Sequence, residues 1–595
     1  MPTLPDVSRG LIATLLAALL LTGGCAARTV PLGTPDAAAP VAVRLIAIND
    51  FHGQLLPPDS PTPLPGPLAD TPVKVPLGGA AYLATAVAQL KAQQPRSIVV
   101  AAGDLISASP LESALFHDEP SITALNAIGL DISSVGNHEF DDGRAALLRM
   151  QRGGCAPDGE IGVDTCIGGR FTGARFQYLA ANVVDVASGQ PLLPATTIRR
   201  FELGGGRALA IGFIGLTLKG TPDMVSRAGI TGLRFDDEAE TINREVAQLR
   251  AQGIEAIVVL IHEGGAVEPP LAYNDPACPG FSGDIGPIVA ALDPAVDVVV
   301  SGHTHRAYRC RIASRDPART VLLTSAGNAG RFVSVIDLAL DPQTGEVLSS
   351  TADNHPVVND RAGNEAPQQY PPRRPAPGVA ALVDDVRQRA LPLASRPVGR
   401  IAAPLSRSRN EAGEMPLGLV IADAQLDYAG RSADTRAEIA FMNPGGVRAD
   451  LKPLDGDGTV SYGQVYSVQP FGGDLVTMSL SGAQIEALLE QQWRARGDAM
   501  VLLPSRGFRY AWDAHRPVGD RIDPASITLD GLVLDPARRY RVNVNGFLAS
   551  GGDGFSVLVS GTERQAFGLD REALIDYLGS HGPVAAPAKL RIERR

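Results

Sequence analysis

Gly136-Asn137-His138-Glu139-Phe140-Asp141 follows directly on the short run Ile132–Val135. A β-type run that stops at glycine and then presents an amide, an imidazole and carboxylates reads as a buried strand delivering polar groups at its C-terminal end. The arrangement recurs along the chain. Val43–Ile48 leads into Asn49-Asp50-Phe51-His52-Gly53, and Ile98–Ala102 into Gly103-Asp104. Ala256–Ile261 leads into His262-Glu263, and Val296–Val300 into Ser301-Gly302-His303-Thr304-His305. Val321–Thr324 has the same strand character, and the segments Tyr82–Gln94 and Asp237–Gln252 between such runs read as helices. Strands alternating with helices predict a layered α/β domain. Its ligand site is expected where the C-terminal strand ends converge.

The chemistry of those loops is specific. Five of the nine histidines fall in four of them. Imidazole suits zinc, manganese or cobalt, and carboxylate suits harder ions, so the set fits two divalent cations. Two ions bridged by an aspartate stabilise an in-line phosphoryl displacement and activate a water nucleophile. The glycines beside the ligands (Gly53, Gly103, Gly136, Gly302) are expected to let the backbone turn sharply. His138 directly follows Asn137, which places it near a bound phosphate. Asp141 can fix its tautomer and favour the imidazolium, as a general acid needs.

Bulk properties restrict the partners. The chain has 595 residues and a net charge of −11, with 45% hydrophobic and 20% charged residues. That length exceeds one core, and the acidic balance argues against nucleic-acid binding through a basic face. Leu11–Leu21 is an apolar run too short to span a bilayer. It follows Arg9 and precedes Thr22-Gly23-Gly24-Cys25, the pattern of an export signal, with Cys25 as a lipidation site or, alternatively, cleavage after Ala27. Four further cysteines suit an oxidising compartment. They permit three pairings, of which Cys155–Cys166 with Cys278–Cys310 is the simplest, and the second bridge would tie down the loop holding Ser301 to His305.

The expected organisation is a signal over residues 1–25, a tether over 26–40, and a catalytic domain over 41–354. A Pro-rich linker with a connecting helix (Val379–Arg389) fills 355–395, and a second domain runs over 396–595. In that last part, Leu417–Tyr428 and Ser481–Arg496 read as helices and Arg541–Asn545 as a strand. Residues 59–76 are Pro-rich and read as a surface loop. The second domain carries its own constellation. Asn443-Pro444-Gly445-Gly446-Val447-Arg448 offers an amide and a guanidinium. Gln469-Pro470-Phe471-Gly472-Gly473 and Phe547-Leu548-Ala549-Ser550-Gly551-Gly552-Asp553-Gly554-Phe555 each set an aromatic ring beside glycines. Two such rings can sandwich a base, and Asp553 can accept hydrogen bonds from ribose.

Asp50-x-His52, Gly103-Asp104, Gly136-Asn137-His138-Glu139, His262 and Gly302-His303-x-His305 resemble the calcineurin-like metallophosphoesterase signature. With Asn-Asp-Phe-His-Gly and Gly-Asn-His-Glu-Phe-Asp, the chain resembles the 5′-nucleotidase/UDP-sugar hydrolase family from about Val41 onward. The resemblance implies a two-sheet α/β catalytic domain followed by a smaller α+β nucleotide-specificity domain. It implies Asp50, His52, Asp104 and His305 on one metal, and Asp104, Asn137, His262 and His303 on the other. His138 would pair with Asp141 and protonate the leaving oxygen. Phe471 and Phe547 would stack on the base and Asp553 would bind ribose. Asn443, Arg448 and Arg409, with Arg407 as the alternative to Arg409, would meet base, ribose or phosphate. The implied enzyme is an exported, monomeric 5′-nucleotidase acting on small nucleotides, with UDP-sugars as further substrates. The alternative is a 2′,3′-cyclic nucleotide phosphodiesterase with 3′-nucleotidase activity. Periplasmic or outer-membrane anchorage through Cys25 would be its sole membrane contact.

Overall fold

A computed structural model describes residues 39–66, 71–361, 367–493 and 499–595. The expected signal over residues 1–25, with Cys25, and Ala27 with all but the last two residues of the tether lie outside these residues.

The first domain is two six-stranded sheets face to face. In one, Val347–Pro356, Phe332–Leu340, Val41–Ile48, Ser97–Ala102, Ile132–Ser134 and Gln177–Leu179 lie in that order. In the other the order is Ala307–Ala313, Thr320–Ala326, Val298–Ser301, Ala256–His262, Arg207–Thr217 and Thr196–Gly204. The central pairings are parallel in both sheets. Strand periodicity explains the sandwich. Val43, Leu45 and Ala47 alternate toward the opposite sheet, meeting Phe213, Val258, Leu260 and Val300. Ile46 and Ile48 face the other way, onto the helix Ala80–Gln93 and its neighbours. The second sheet's outer face is covered by Glu238–Ala251 and Ile285–Ala290. Strands buried on both faces explain the continuous Val/Ile runs. Asp237 caps its helix by accepting from Glu240 N–H.

The second domain is built on a five-stranded sheet ordered Leu503–Pro504, Ile439–Met442, Arg539–Asn545, Asp474–Ser481 and Thr562–Leu569. Ile439–Met442 and Arg539–Asn545 run parallel, while Asp474–Ser481 runs antiparallel. The ends of the first two strands and the start of the third therefore share one sheet edge. The residue after Met442, the residue pair after Asn545 and the segment before Asp474 carry Asn443, Phe547 and Phe471 to that edge.

Three local expectations change. Residues 59–76 are not simply a loop: Thr62–Leu64 pairs with Val73–Val75, and Leu64 and Val75 are fully buried against Leu77, Tyr273 and Phe332. The helix expected over Ser481–Arg496 spans only Gly482–Glu490. Gln492 instead turns its amide inward to accept from Leu502 N–H at 2.6 Å and Tyr510 O–H at 2.9 Å, which draws the chain off the helix axis. The connecting helix is longer, Pro377–Ala394, and buries Val379, Val383, Val386 and Ala390 in the first domain's core rather than hanging in the linker. Both bridges form, Cys155–Cys166 and Cys278–Cys310, each with Cα atoms 5.3 Å apart.

Candidate metal centre and nucleotide clamp

The ends of Val41–Ile48, Ser97–Ala102, Ile132–Ser134, Ala256–His262 and Val298–Ser301 converge at one point. Main-chain bonds lock the loops together: Asp50 N–H donates to Gly103 O at 3.1 Å and His52 N–H to Asp104 O at 3.0 Å. Asp50, His52, Asp104, His303 and His305 all adopt left-handed backbone, φ 47–69°. Non-glycine residues rarely hold this conformation, and it clusters at functional sites. The glycines divide by role. Gly53 and Gly103 have positive φ. Gly136 and Gly302 do not, and they are needed for space instead. A Cβ on Gly136 would stand 2.1 Å from Asp104 Oδ1, and one on Gly302 3.0 Å from Asp50 Oδ2.

Among the described residues, three side-chain groups have ligand atoms within 4.8 Å of one another: Asp50/His52/His305, Asp104/His262/His303 and His52/Asp104/His138. In the last, His138 Nδ1 is already engaged by Asp141 Oδ2 at 2.7 Å. The donor chemistry fits cations. His52 Nδ1 faces Ser107 O at 3.0 Å and His262 Nδ1 faces Ala102 O at 2.8 Å. Each bond fixes the tautomer that frees Nε2 for a metal. His52 Nε2 and His305 Nε2 then meet at 3.0 Å. Asn137 Oδ1 and His262 Nε2 are buried without a directed hydrogen bond, although Asp104 Oδ2 is 3.0 Å from the latter. Buried polar atoms without partners are exceptional, and a cation would satisfy both.

The charges agree. Burial pushes the Asp104 carboxyl up, yet His262, His138 and His52 hold it well below the usual range. Asp50 is likewise lowered against burial, by His305 and His262. Two buried carboxylates kept ionised demand positive charge. Burial holds His52 neutral, at about 3, and burial with His262 holds His303 at about 4. Burial lowers His262 but Asp104 raises it further, to about 10, so without a cation a proton on His262 supplies the charge that a bound ion would replace. Burial opposes the His138 imidazolium, but Asp141 and Asp104 win and raise it.

The second domain reaches this cluster. Phe471 lies parallel to the His138 ring, centroids 5.8 Å apart with planes 9° apart, and Arg448 sits 5.8 Å from the Phe471 centroid. Burial and then Arg407 lower the Arg448 guanidinium, opposed by the carboxylates of Asp104, Asp141 and Asp50. Asn443 Nδ2 donates to Asp553 Oδ2 at 2.7 Å. The Phe547 ring lies against Gly552, where a Cβ would come within 2.5 Å of it. Both candidate arginines are exposed: Arg409 donates to Ala499 O at 3.2 Å, and Arg407 donates to Arg448 O while its N–H donates to Asp450 at 2.9 Å.

Sequence reasoning assigned no role to three supporting residues. Glu139 accepts from the N–H groups of Asp104 (2.9 Å), Leu105 (2.7 Å) and Gly136 (2.6 Å), joining two metal loops. Burial and then Asp104 push its carboxyl up to about 7. Its position inside the 136–141 stretch was the available signal. Asn545 donates to Asn443 Oδ1 at 3.0 Å, and Asn328 Nδ2 lies 3.2 Å from His305 Nδ1. Neither sits in a pattern that would single it out.

Comparison with known proteins agrees with this anatomy. Residues 43–307 match the calcineurin-like phosphoesterase model, and residues 397–560 match the 5′-nucleotidase C-terminal domain model. The chain is 29% identical over 567 residues to endonuclease YhcR of Bacillus subtilis, covering 93% of this chain but only 41% of that protein's length. It is 30% identical over 601 residues to cell wall protein Lmo0130 of Listeria monocytogenes, covering 94% of this chain and 70% of the relative. The crystal structure of a 5′-nucleotidase precursor from Thermus thermophilus superposes with TM-score 0.71 at 25% identity, covering 93% of this chain and 99% of that one.

Proposed function

The chain belongs to the 5′-nucleotidase family, a calcineurin-like phosphoesterase domain followed by a 5′-nucleotidase C-terminal domain, and from that premise we propose that it hydrolyses nucleoside 5′-monophosphates to nucleoside and phosphate. The observation that carries the reading is the meeting of the two domains at His138, where the Phe471 ring of one lies parallel to the imidazole of the other, with Arg448 beside that ring. Asp50, His52, Asp104 and His305 would hold one divalent cation, and Asp104, Asn137, His262 and His303 a second, with manganese, zinc or cobalt the ions expected. Such ions supply polarisation of the phosphoryl group and activation of the attacking water.

The chain's own residues do the rest. Phe471 and Phe547 take the base between rings, Asp553 with Asn443 engages ribose, and Arg448 with Arg409, or Arg407 in its place, meets the phosphate. Asp141 occupies His138 Nδ1, which leaves Nε2–H to protonate the departing 5′ oxygen as the P–O5′ bond breaks and the water oxygen bonds to phosphorus. UDP-sugars are proposed as further substrates, cleaved at the same centre. Export, with lipidation at Cys25, is proposed from the Leu11–Cys25 stretch and is consistent with the two disulfides. No helix among the described residues is long and apolar enough to cross a membrane.

A panel of nucleoside 5′-monophosphates, 3′-monophosphates, 2′,3′-cyclic nucleotides and UDP-glucose, run on metal-stripped protein with single metals restored, tests the reading. The 5′-monophosphates should have the highest kcat/KM. Preference for the cyclic or 3′ substrates would overturn it.

A further inference from the structure

Ser107 belongs to no motif of the sequence, yet each of its polar groups meets a different part of the site. Its Oγ–H donates to Asp141 Oδ2 at 2.6 Å, the same oxygen that His138 Nδ1 approaches at 2.7 Å. Its carbonyl receives His52 Nδ1 at 3.0 Å. Its N–H donates to the buried Asp118 Oδ2 at 2.9 Å, and Asp118 Oδ1 accepts in turn from Ser113 Oγ at 2.6 Å. Holding all three contacts requires a left-handed backbone, φ 64°.

These contacts divide the labour. The N–H bond to Asp118 anchors the residue from below. The carbonyl fixes the His52 tautomer and belongs to the backbone, so any residue at position 107 would supply it. The hydroxyl alone is particular to serine. It is a neutral donor on a carboxylate that must stay coplanar with an imidazole. A carboxylate free to rotate about its Cβ–Cγ bond would present Oδ2 to His138 Nδ1 for only part of the time. Pinning Oδ2 from a second direction holds that geometry, and the hydrogen bond is charge-assisted. The arrangement extends the His138–Asp141 pair to a chain of three side chains.

We propose that Ser107 is a positioning residue for the general acid, its hydroxyl orienting Asp141 and thereby His138, while its backbone carbonyl separately orients His52. This rests on the phosphoester-hydrolysis reading but not on the identity of the nucleotide.

Ser107→Gly removes the hydroxyl and tolerates the positive φ, so it keeps the backbone contacts. With both a nucleoside 5′-monophosphate and an aryl phosphate, kcat should fall about tenfold, the scale of one hydrogen bond to a charged group. KM and bound metal per chain should stay at wild-type values. The downfield Nδ1 proton resonance of His138 should move, a readout independent of turnover. In an Asp141→Ala background, Ser107→Gly should cost nothing further, because there is no carboxylate left to orient. Ser107→Ala should match Ser107→Gly. The proposal is overturned if Ser107→Gly retains full kcat, if its loss persists undiminished beside Asp141→Ala, if metal is lost, if the resonance stays in place, or if only the alanine variant is impaired, which would mean backbone conformation rather than the hydroxyl. A wild type that prefers cyclic or 3′ nucleotides to 5′-monophosphates would sink the nucleotidase reading and leave this comparison intact, since the aryl ester reports it alone.

Discussion

At the metal cluster, Asp50, Asp104, Asn137 and His262 are 0–3% exposed and their loops are stitched to one another by main-chain and carboxylate hydrogen bonds. At the clamp, Phe471 is 40% exposed and stands beside glycines on a loop. The contrast suits what each is proposed to recognise. Ligands for a cation have to be fixed before the ion arrives, because a misplaced donor is lost binding energy. A base stacks on any flat ring face, so the clamp needs an open surface more than a fixed constellation. One contact crosses the divide. The exposed Phe471 ring lies on His138, so the recognising and the reacting parts are not independent.

Removing Asp104, proposed as a ligand common to both cations, should have the largest effect. Asp104→Ala, or chelation of the wild type, should lower turnover on every phosphoester by more than about a thousandfold, with the α/β circular dichroism retained. Near-normal turnover after chelation would remove the basis for distinguishing the two regions.

His138→Ala should come next, lowering kcat by ~10²–10⁴-fold while metal content, measured by atomic emission, stays unchanged. Loss of one metal equivalent would move His138 into the ligand set and redraw the cluster's boundary.

The clamp rings sharpen the comparison most directly. Each of Phe471→Ala and Phe547→Ala should reduce nucleotide kcat/KM by roughly tenfold to a hundredfold, the scale of one stacking contact. On a small aryl phosphate the two should part. Phe547→Ala should leave that activity near wild type, whereas Phe471→Ala should lower it several-fold because its ring also covers His138. Identical behaviour of both variants on the aryl ester would show the ring contact to be without consequence.

The smallest expected effect is on stability. Asp570 supports the clamp loop, its N–H donating to Gly473 O at 2.9 Å, and burial pushes its carboxyl up to about 7. In the unfolded chain the same group ionises near its ordinary value of about 4. Between those values the folded state retains a proton that the unfolded state has released, so its contribution to stability is present at low pH and declines as pH rises through that window. Asp570→Asn should flatten the pH dependence measured by urea unfolding at pH 5 and pH 8. An unchanged slope would mean that Asp570 is ionised in the fold.

Much of the first domain was legible because buried parallel strands need unbroken Val/Ile runs, and because five such runs end in Asp, Asn or His, a set that points to metal where each member alone would not. Ala256–His262 and Val298–Ser301 show this well. The covered hairpin at Thr62–Leu64 was not legible, since Pro-rich composition says nothing about what packs over Leu64 and Val75. Nor was the partner of either loop arginine, Ala499 O for Arg409 and Arg448 O for Arg407, since both partners lie far along the chain.

By itself the sequence determined the fold class and the family, and it singled out the side chains proposed to carry metal chemistry, because these depend on periodicity and on residue types at fixed local spacing. Only the tertiary structure decided how those side chains are held. Glu139 binding the Asp104 and Leu105 amides, Ser107 bridging Asp141 and His52, and Phe471 laid on His138 are contacts between segments distant in the chain. Hydrogen bonds and ring contacts of that kind are set by where whole strands and domains come to rest, and no local pattern encodes them.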